Sequence, residues 1–169
     1  MTKTATVVTM KGNPVTLVGN EVEVGQPAPN FTAVANDLST FQFSSLKGKK
    51  IIISAVPSLD TPICDLQTKR FNKEADNLKD VVILTISMDL PFAQKRWCAA
   101  TGSKNVLIVS DHRDASFGEA YGLIVKGVRL LARAIFVVDE KGVIRYKQIV
   151  PEITTEPNYE DVLKAFKKL

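Results

Sequence analysis

Two cysteines, one histidine and one tryptophan are all that 169 residues contain of those three residue types. So few sulfur and imidazole donors exclude an ordinary structural zinc centre unless a carboxylate completes it. Charge of one sign is also missing, with 22 Lys+Arg against 18 Asp+Glu and a net charge of +4. The densest basic cluster, Lys164, Lys167 and Lys168, reads as the solvated last turn of a helix, where the dipole favours cations. It is not the patch a nucleic-acid binder needs. The longest apolar stretches, such as 51–53 and 81–86, have strand length and fall far short of the roughly 20 residues that cross a bilayer. The opening MTKTATVVTMKGNPV has no apolar region of roughly 7–15 residues and no small-residue cleavage site. The expectation is a soluble, cytoplasmic protein with neither nucleic acid nor membrane as partner. No repeat, low-complexity segment or linker divides the chain. Its length and 45% hydrophobic content suit a single domain, 1–169, that buries about two thirds of its unfolded surface without help from a disulfide or metal.

What is there alternates between strands and helices. Residues 4–9 and 15–18 flank the turn cluster Lys11-Gly12-Asn13-Pro14 and predict an N-terminal β-hairpin. Gly25-Gln26-Pro27-Ala28-Pro29 must be irregular, and 31–35 and 41–43 read as two short strands. The run 49–56, KKIIISAV, is a buried strand that stops at Pro57. Ile63, Leu66, Phe71, Ala75 and Leu78 recur at helical spacing over 62–78. Further strands are expected at 81–87 and 105–110. Helices are expected at 90–100, stopped by Gly102, and at 116–121, closed by Gly122. Residues 132–138 and 143–150 flank Asp139-Glu140-Lys141-Gly142 as a second hairpin. A last helix, capped by Asn158, places Val162, Leu163, Phe166 and Leu169 on one face. The pattern predicts an α/β fold: a mixed sheet with helices on both faces, compatible with a thioredoxin-like core carrying an N-terminal extension.

The chemistry concentrates between the strongest strand and the first long helix, in Pro57-Ser58-Leu59-Asp60-Thr61-Pro62-Ile63-Cys64. Strand ends in open α/β sheets are where ligands bind. Pro62 suits the first helical position and Thr61 the N-cap, which sets Cys64 in the first turn, near unpaired backbone N–H groups and the positive helix end. Both favour a thiolate. They are not enough alone. Lowering a thiol from about 8.5 to about 6 takes about 3.4 kcal/mol, whereas a helix terminus supplies about 0.3–1 and rarely about 2. A fixed cation is therefore expected, and an Arg fork fits a thiolate and a substrate together better than Lys does. Of Arg70, Arg96, Arg113, Arg129, Arg133 and Arg145, Arg133 stands out because Leu130-Leu131-Ala132 and Ala134-Ile135-Phe136 enclose it. It belongs either beside a carboxylate or in a site. Cys98 lies 34 residues after Cys64 on the short helix. It is either a packed helix residue or the partner in a cycling pair. Two cysteines on separate helices rarely lie within the about 7 Å a disulfide needs, so pairing would require a helix to open locally. His112 reads as a solvated loop residue.

At these residues the sequence resembles the peroxiredoxins, and within them the bacterial thiol peroxidases, atypical 2-Cys members of that superfamily. Pro57, Thr61 and Cys64 fit Pro-x-x-x-Thr-x-x-Cys, and Pro57-Ser58-Leu59-Asp60-Thr61-Pro62-Ile63-Cys64 fits the thiol peroxidase form. The likeness continues through Phe71-Asn72, Ser87-Met88-Asp89-Leu90-Pro91-Phe92-Ala93, Arg96-Trp97-Cys98, Ser110-Asp111, Leu131-Ala132-Arg133-Ala134 and Pro157-Asn158-Tyr159. Trp97 departs from the phenylalanine expected there. The resemblance implies a thioredoxin-like fold and a peroxidase that reduces hydrogen peroxide and organic hydroperoxides. It makes Cys64 the peroxidatic cysteine and has the Thr61 hydroxyl bonding the thiolate and the peroxide. Arg133 stabilises the thiolate and the leaving oxygen, and Pro57 shields the pocket. Cys98 becomes the resolving cysteine, in an intramolecular disulfide with Cys64 that thioredoxin reduces. The resemblance also implies a homodimer and no metal, haem or flavin.

Two other readings share the residues. A general thiol–disulfide oxidoreductase would carry a Cys-x-x-Cys pair, and Cys64-Asp65-Leu66-Gln67 is not one. A non-enzymatic interaction domain would keep both thiols inert.

Overall fold

The computed structural model describes residues 7–102 and 106–169. Its centre is a seven-stranded mixed sheet. Three parallel strands form the middle: β6 (Lys50–Ala55), β7 (Val81–Ser87) and β8 (Val106–Ser110). Beyond β6 lie β11 (Ala134–Val138) and β12 (Ile144–Ile149), an antiparallel hairpin. Beyond β8 lie β4 (Thr32–Val34) and β5 (Thr40–Gln42), also antiparallel. The order is β12-β11-β6-β7-β8-β4-β5.

Side-chain alternation along β6 sorts the core into two layers. Ile51, Ile53 and Ala55 point to one face, where Phe117 and Tyr121 of α3 (Ser116–Tyr121) and the N-terminal residues Val8, Leu17 and Phe31 pack. Ile52 and Val56 point to the other. There they meet Phe71 of α1 (Pro62–Ala75), Trp97 of α2 (Pro91–Thr101), and Val162 and Phe166 of α4 (Tyr159–Lys167). Burial on both faces explains why 51–53 is a continuous apolar run rather than an alternating one. Asn158 caps α4 by accepting from the Asp161 N–H at 3.1 Å, and Gly102 ends α2 at φ 64°, a left-handed conformation suited to glycine.

The expected N-terminal hairpin forms only in part. β1 (Val8–Met10) pairs with β2 (Asn13–Val15), and residues 4–6 of the expected strand lie outside the described ones. The chain then turns away. β3 (Leu17–Val18) joins β9 (Ile124–Val125) and β10 (Leu130–Leu131) in a separate three-stranded sheet, which carries Leu17 into the core at 1% exposure. Two-residue strands are too short to display a period, so β9 and β10 left no signal in the sequence. α1 ends at Ala75 rather than 78, with Leu78 still half-buried against the core. Position 105 of the third parallel strand falls outside the described residues. No helix among the described residues is long and apolar enough to cross a membrane.

Candidate active site

β6 delivers the chain at its C-terminal end into residues 56–61, and α1 then leads back across the sheet. Pro57 is buried, while Thr61 and Pro62 are exposed. Thr61 occupies the N-cap position with extended backbone (φ −108°, ψ 148°) and Pro62 opens the helix. The Thr61 side chain does not cap, however, because its Oγ1 donates to the Ser58 carbonyl at 2.8 Å. The Thr61 N–H makes the same turn at 3.2 Å. The expected cap is thus replaced by a hydroxyl-closed turn.

Cys64 is the third helical residue and has no solvent exposure. Its Sγ lies 3.3 Å from Arg133 Nη2. Arg133 sits between β10 and β11 at 2% exposure, and every edge of its guanidinium is used. Nε donates to the Ile153 carbonyl at 2.8 Å, and Nη1 to Gln67 Oε1 at 2.8 Å. Gln67, one turn after Cys64 on α1 and fully buried, is held in turn by donating from Nε2 to Ser54 Oγ at 2.7 Å. A buried guanidinium cannot shed its proton, and burying a charge unpaired is costly. None of the ion pairs found among the described residues includes Arg133. A thiolate at Cys64 is therefore the anion this cation can pair with.

Beside the pair lies a cavity of about 380 Å³ whose wall includes Pro57, Thr61, Ile63, Leu130, Arg133 and Ile153. The wall is mainly apolar, and its polar side chains are Lys11, Thr61, Arg133 and Thr154. It joins Pro57, Thr61 and Arg133, three residues singled out in the sequence, at one opening next to the buried fourth, Cys64.

A further network shapes the loop. Asp89, just past the C-terminal end of β7, accepts from Ser58 Oγ at 2.6 Å, from the Leu59 N–H at 2.8 Å and from Ser87 Oγ at 2.7 Å. Gln94 of α2 donates to Ser87 Oγ at 3.0 Å. Asp89, Gln67 and Ser54 were not recognised from sequence as site residues. The signal for Asp89 was a carboxylate at a strand's C-terminal end opposite a motif serine. Gln67 announced itself only as a polar residue on the buried face of α1.

Cys98 does not share this setting. It is the eighth of eleven residues in α2, half-buried, and its thiol is free, as is that of Cys64. Its Sγ faces Asn36 Nδ2 at 4.0 Å. Burial pushes its thiol above the ordinary value, and the Asn36 contact pulls part of that back. His112 is half-buried, and its carbonyl accepts from Arg129 Nη1 at 2.8 Å. Among the described residues no group of three or more His, Cys, Asp or Glu could hold a metal.

The same arrangement has relatives. The Redoxin family matches residues 23–163. A protein of Listeria innocua named thiol peroxidase is 58% identical over 163 residues, 96% of this chain and 99% of that one. A Bacillus subtilis thiol peroxidase is 55% identical over 162 residues, 96% and 97% of the two chains. Among solved structures, the peroxiredoxin-like protein of Aquifex aeolicus superposes with a TM-score of 0.91 at 43% identity, covering 99% of both chains. With a cysteine paired to a buried arginine at the end of β6, a thioredoxin-like sheet behind it and identity above one half across nearly the whole length, the chain belongs to the redoxin family, in its thiol peroxidase branch.

Proposed function

We propose that the chain acts as a single peroxiredoxin domain, 1–169, that reduces hydroperoxides at Cys64, resolves the product through Cys98 and is recycled by thioredoxin. The observation that carries this reading is the Arg133 guanidinium, buried without a carboxylate and 3.3 Å from Cys64 Sγ. The cation favours the thiolate, the nucleophilic form of cysteine.

The first step follows from the donors. The hydroperoxide enters the cavity beside Pro57 and Thr61. With the Thr61 proton committed to Ser58 O, the lone pairs of Oγ1 are left to accept from the peroxide O–H. The Cys64 thiolate attacks the terminal oxygen, so that an S–O bond forms and the O–O bond breaks. The leaving alkoxide, or hydroxide from hydrogen peroxide, takes a proton to become an alcohol or water. Arg133 opposes the charge developing on that oxygen, the place where fixed donors lower a barrier most. The apolar cavity wall accommodates the carbon chain of an organic hydroperoxide as well as hydrogen peroxide.

In the second step the Cys98 sulfur displaces the oxygen of the Cys64 sulfenic acid. The S–S bond forms, the S–O bond breaks, and the hydroxyl leaves as water with the Cys98 proton. The two electrons returned by the thioredoxin dithiol restore both thiols by exchange. Family likeness extends the reading to a cytoplasmic homodimer.

One equivalent of cumene hydroperoxide added to the reduced protein is expected to remove two hydrogens and to leave a Cys64–Cys98 peptide on mass spectrometry. NADPH consumption through thioredoxin reductase and thioredoxin is then expected with excess peroxide. Oxidation no faster than that of free cysteine rejects the peroxidase. Oxidation without the cross-link rejects Cys98 as its partner, and sedimentation velocity tests the dimer.

A further inference from the structure

Trp97, the only tryptophan of the chain, precedes Cys98 where the family likeness leads one to expect phenylalanine. The indole adds something a phenyl ring lacks. Its Nε1 donates to Asp65 Oδ1 at 2.8 Å. Asp65 follows Cys64 directly on α1, and its other oxygen pairs with Lys69 at 2.8 Å. The ring itself is 8% exposed and belongs to the apolar cluster that holds Cys64 and borders Cys98. One hydrogen bond thus ties the helix of the second thiol to the first turn of the helix of the first.

The two sulfurs have separate partners. Cys64 on α1 faces Arg133, and Cys98 on α2 faces Asn36, and both thiols are free. A disulfide brings the two sulfurs to bonding distance, about 2 Å, so Cys98 has to give up its contact with Asn36 and α2 has to leave its seat. Burial that keeps Cys98 protonated in that seat acts in the same direction.

We propose that Trp97 is a positioning residue for resolution, and that its hydrogen bond to Asp65 is the latch whose release admits Cys98 to the Cys64 sulfenic acid. The proposal rests on the Cys64–Cys98 reading given above and adds what controls its rate. While the latch holds, the sulfenic acid stays open to a second hydroperoxide, which transfers one oxygen to give the sulfinic acid and leaves as alcohol. The latch therefore sets the peroxide dose the protein survives.

The test is quenched-flow oxidation of the full-length protein by cumene hydroperoxide, with thiol alkylation and mass spectrometry separating sulfenic acid, disulfide and sulfinic acid. Trp97→Phe keeps an aromatic ring and loses the donor. It is expected to form the disulfide about tenfold faster, the scale of a hydrogen bond to a charged group. Its Cys64 oxidation is expected within about twofold of the parent, and less sulfinic acid should form at high peroxide. Asp65→Ala breaks the same bond from the other side and is expected to accelerate the same step. Asp65→Asn retains an acceptor for the indole and is expected to stay near the parent rate. A Trp97→Phe disulfide step at the parent rate overturns the latch, and so does acceleration in Trp97→Phe without acceleration in Asp65→Ala, which would assign the effect to ring packing. If the parent protein itself never loses two hydrogens on oxidation, the disulfide reading fails, and the proposal with it, before any variant is made.

Discussion

At Cys64 the chain encloses a sulfur completely and sets a guanidinium 3.3 Å away, aimed by Gln67 and the Ile153 carbonyl. At Cys98 it leaves the sulfur half-buried against an amide at 4.0 Å, and burial raises the thiol. The first is the third residue of a helix of 14 residues, where orphan N–H groups and the helix dipole favour negative charge. The second is eighth in a helix of 11, where neither applies. The same element thus meets two environments: one sulfur is fixed beside a cation, and the other lies in a seat that favours its neutral form. In the proposed cycle the fixed sulfur is prepared to attack peroxide, and the other is stored to resolve the product once its helix is released.

Cys64→Ser tests the prepared side most severely. Hydroperoxide consumption is expected to fall to the level of buffer, followed directly by peroxide loss, because a hydroxyl so placed is not ionised. Cys98→Ser tests the stored side. It is expected to consume one peroxide per subunit and then stop, with no turnover by thioredoxin. Unchanged turnover would remove Cys98 from the cycle. Arg133→Gln is expected to slow Cys64 oxidation by about 10²–10³-fold, the range for removing one donor aimed at a developing oxyanion. Trp97 fluorescence in stopped flow reads the rate. Arg133→Lys is expected to recover only part of it, since a point charge cannot serve Ile153 O, Gln67 Oε1 and the sulfur together. If Arg133→Gln instead oxidises at the parent rate, the environment of Cys64 gives it no advantage over Cys98.

The sequence announced the prepared side far better than the stored one. Thr61-Pro62 marks a helix entry by local rules alone, so the position of Cys64 followed from two neighbours and the strand before them. Arg133 drew notice because six apolar residues flank it, although its partner could not be named until β10, β11 and α1 were placed together. Gln67 and Ser54 escaped because their pairing spans a strand and a helix, and nothing in their spacing records it. The parallel strands β6 and β7 are plain from their apolar runs, and β3 falls within the expected strand 15–18, whereas β9 and β10, of two residues each, are hidden. At Thr61 a cap and a turn onto Ser58 O demand the same residue type, so the residue alone does not tell them apart. Around Cys98 the sequence offered a departure, tryptophan for phenylalanine, without the Asp65 carboxylate that gives it meaning.

The smallest expected effect separates the two thiols by pH. Cys98 in its seat has a raised value, so the folded α2 favours the neutral thiol. The stability this contributes is present at low pH and is lost as pH rises through the raised value. Raising pH therefore both ionises Cys98 and loosens its helix. An opened thiol titrates as an ordinary one, at about 8.5, but above that pH the growing population of open α2 offsets the saturation of the opened thiol. Disulfide formation is then expected to climb about tenfold per pH unit from about pH 7, past the ordinary thiol range, and to level off only at the raised value of the seated thiol, as measured by quenched flow at fixed peroxide. A rate that levelled off in the ordinary thiol range would mean that the seat does not hold the Cys98 proton. Trp97→Phe sharpens the distinction: it is expected to raise the plateau without moving the midpoint, because loosening the latch changes how often α2 opens and not how the seated thiol ionises.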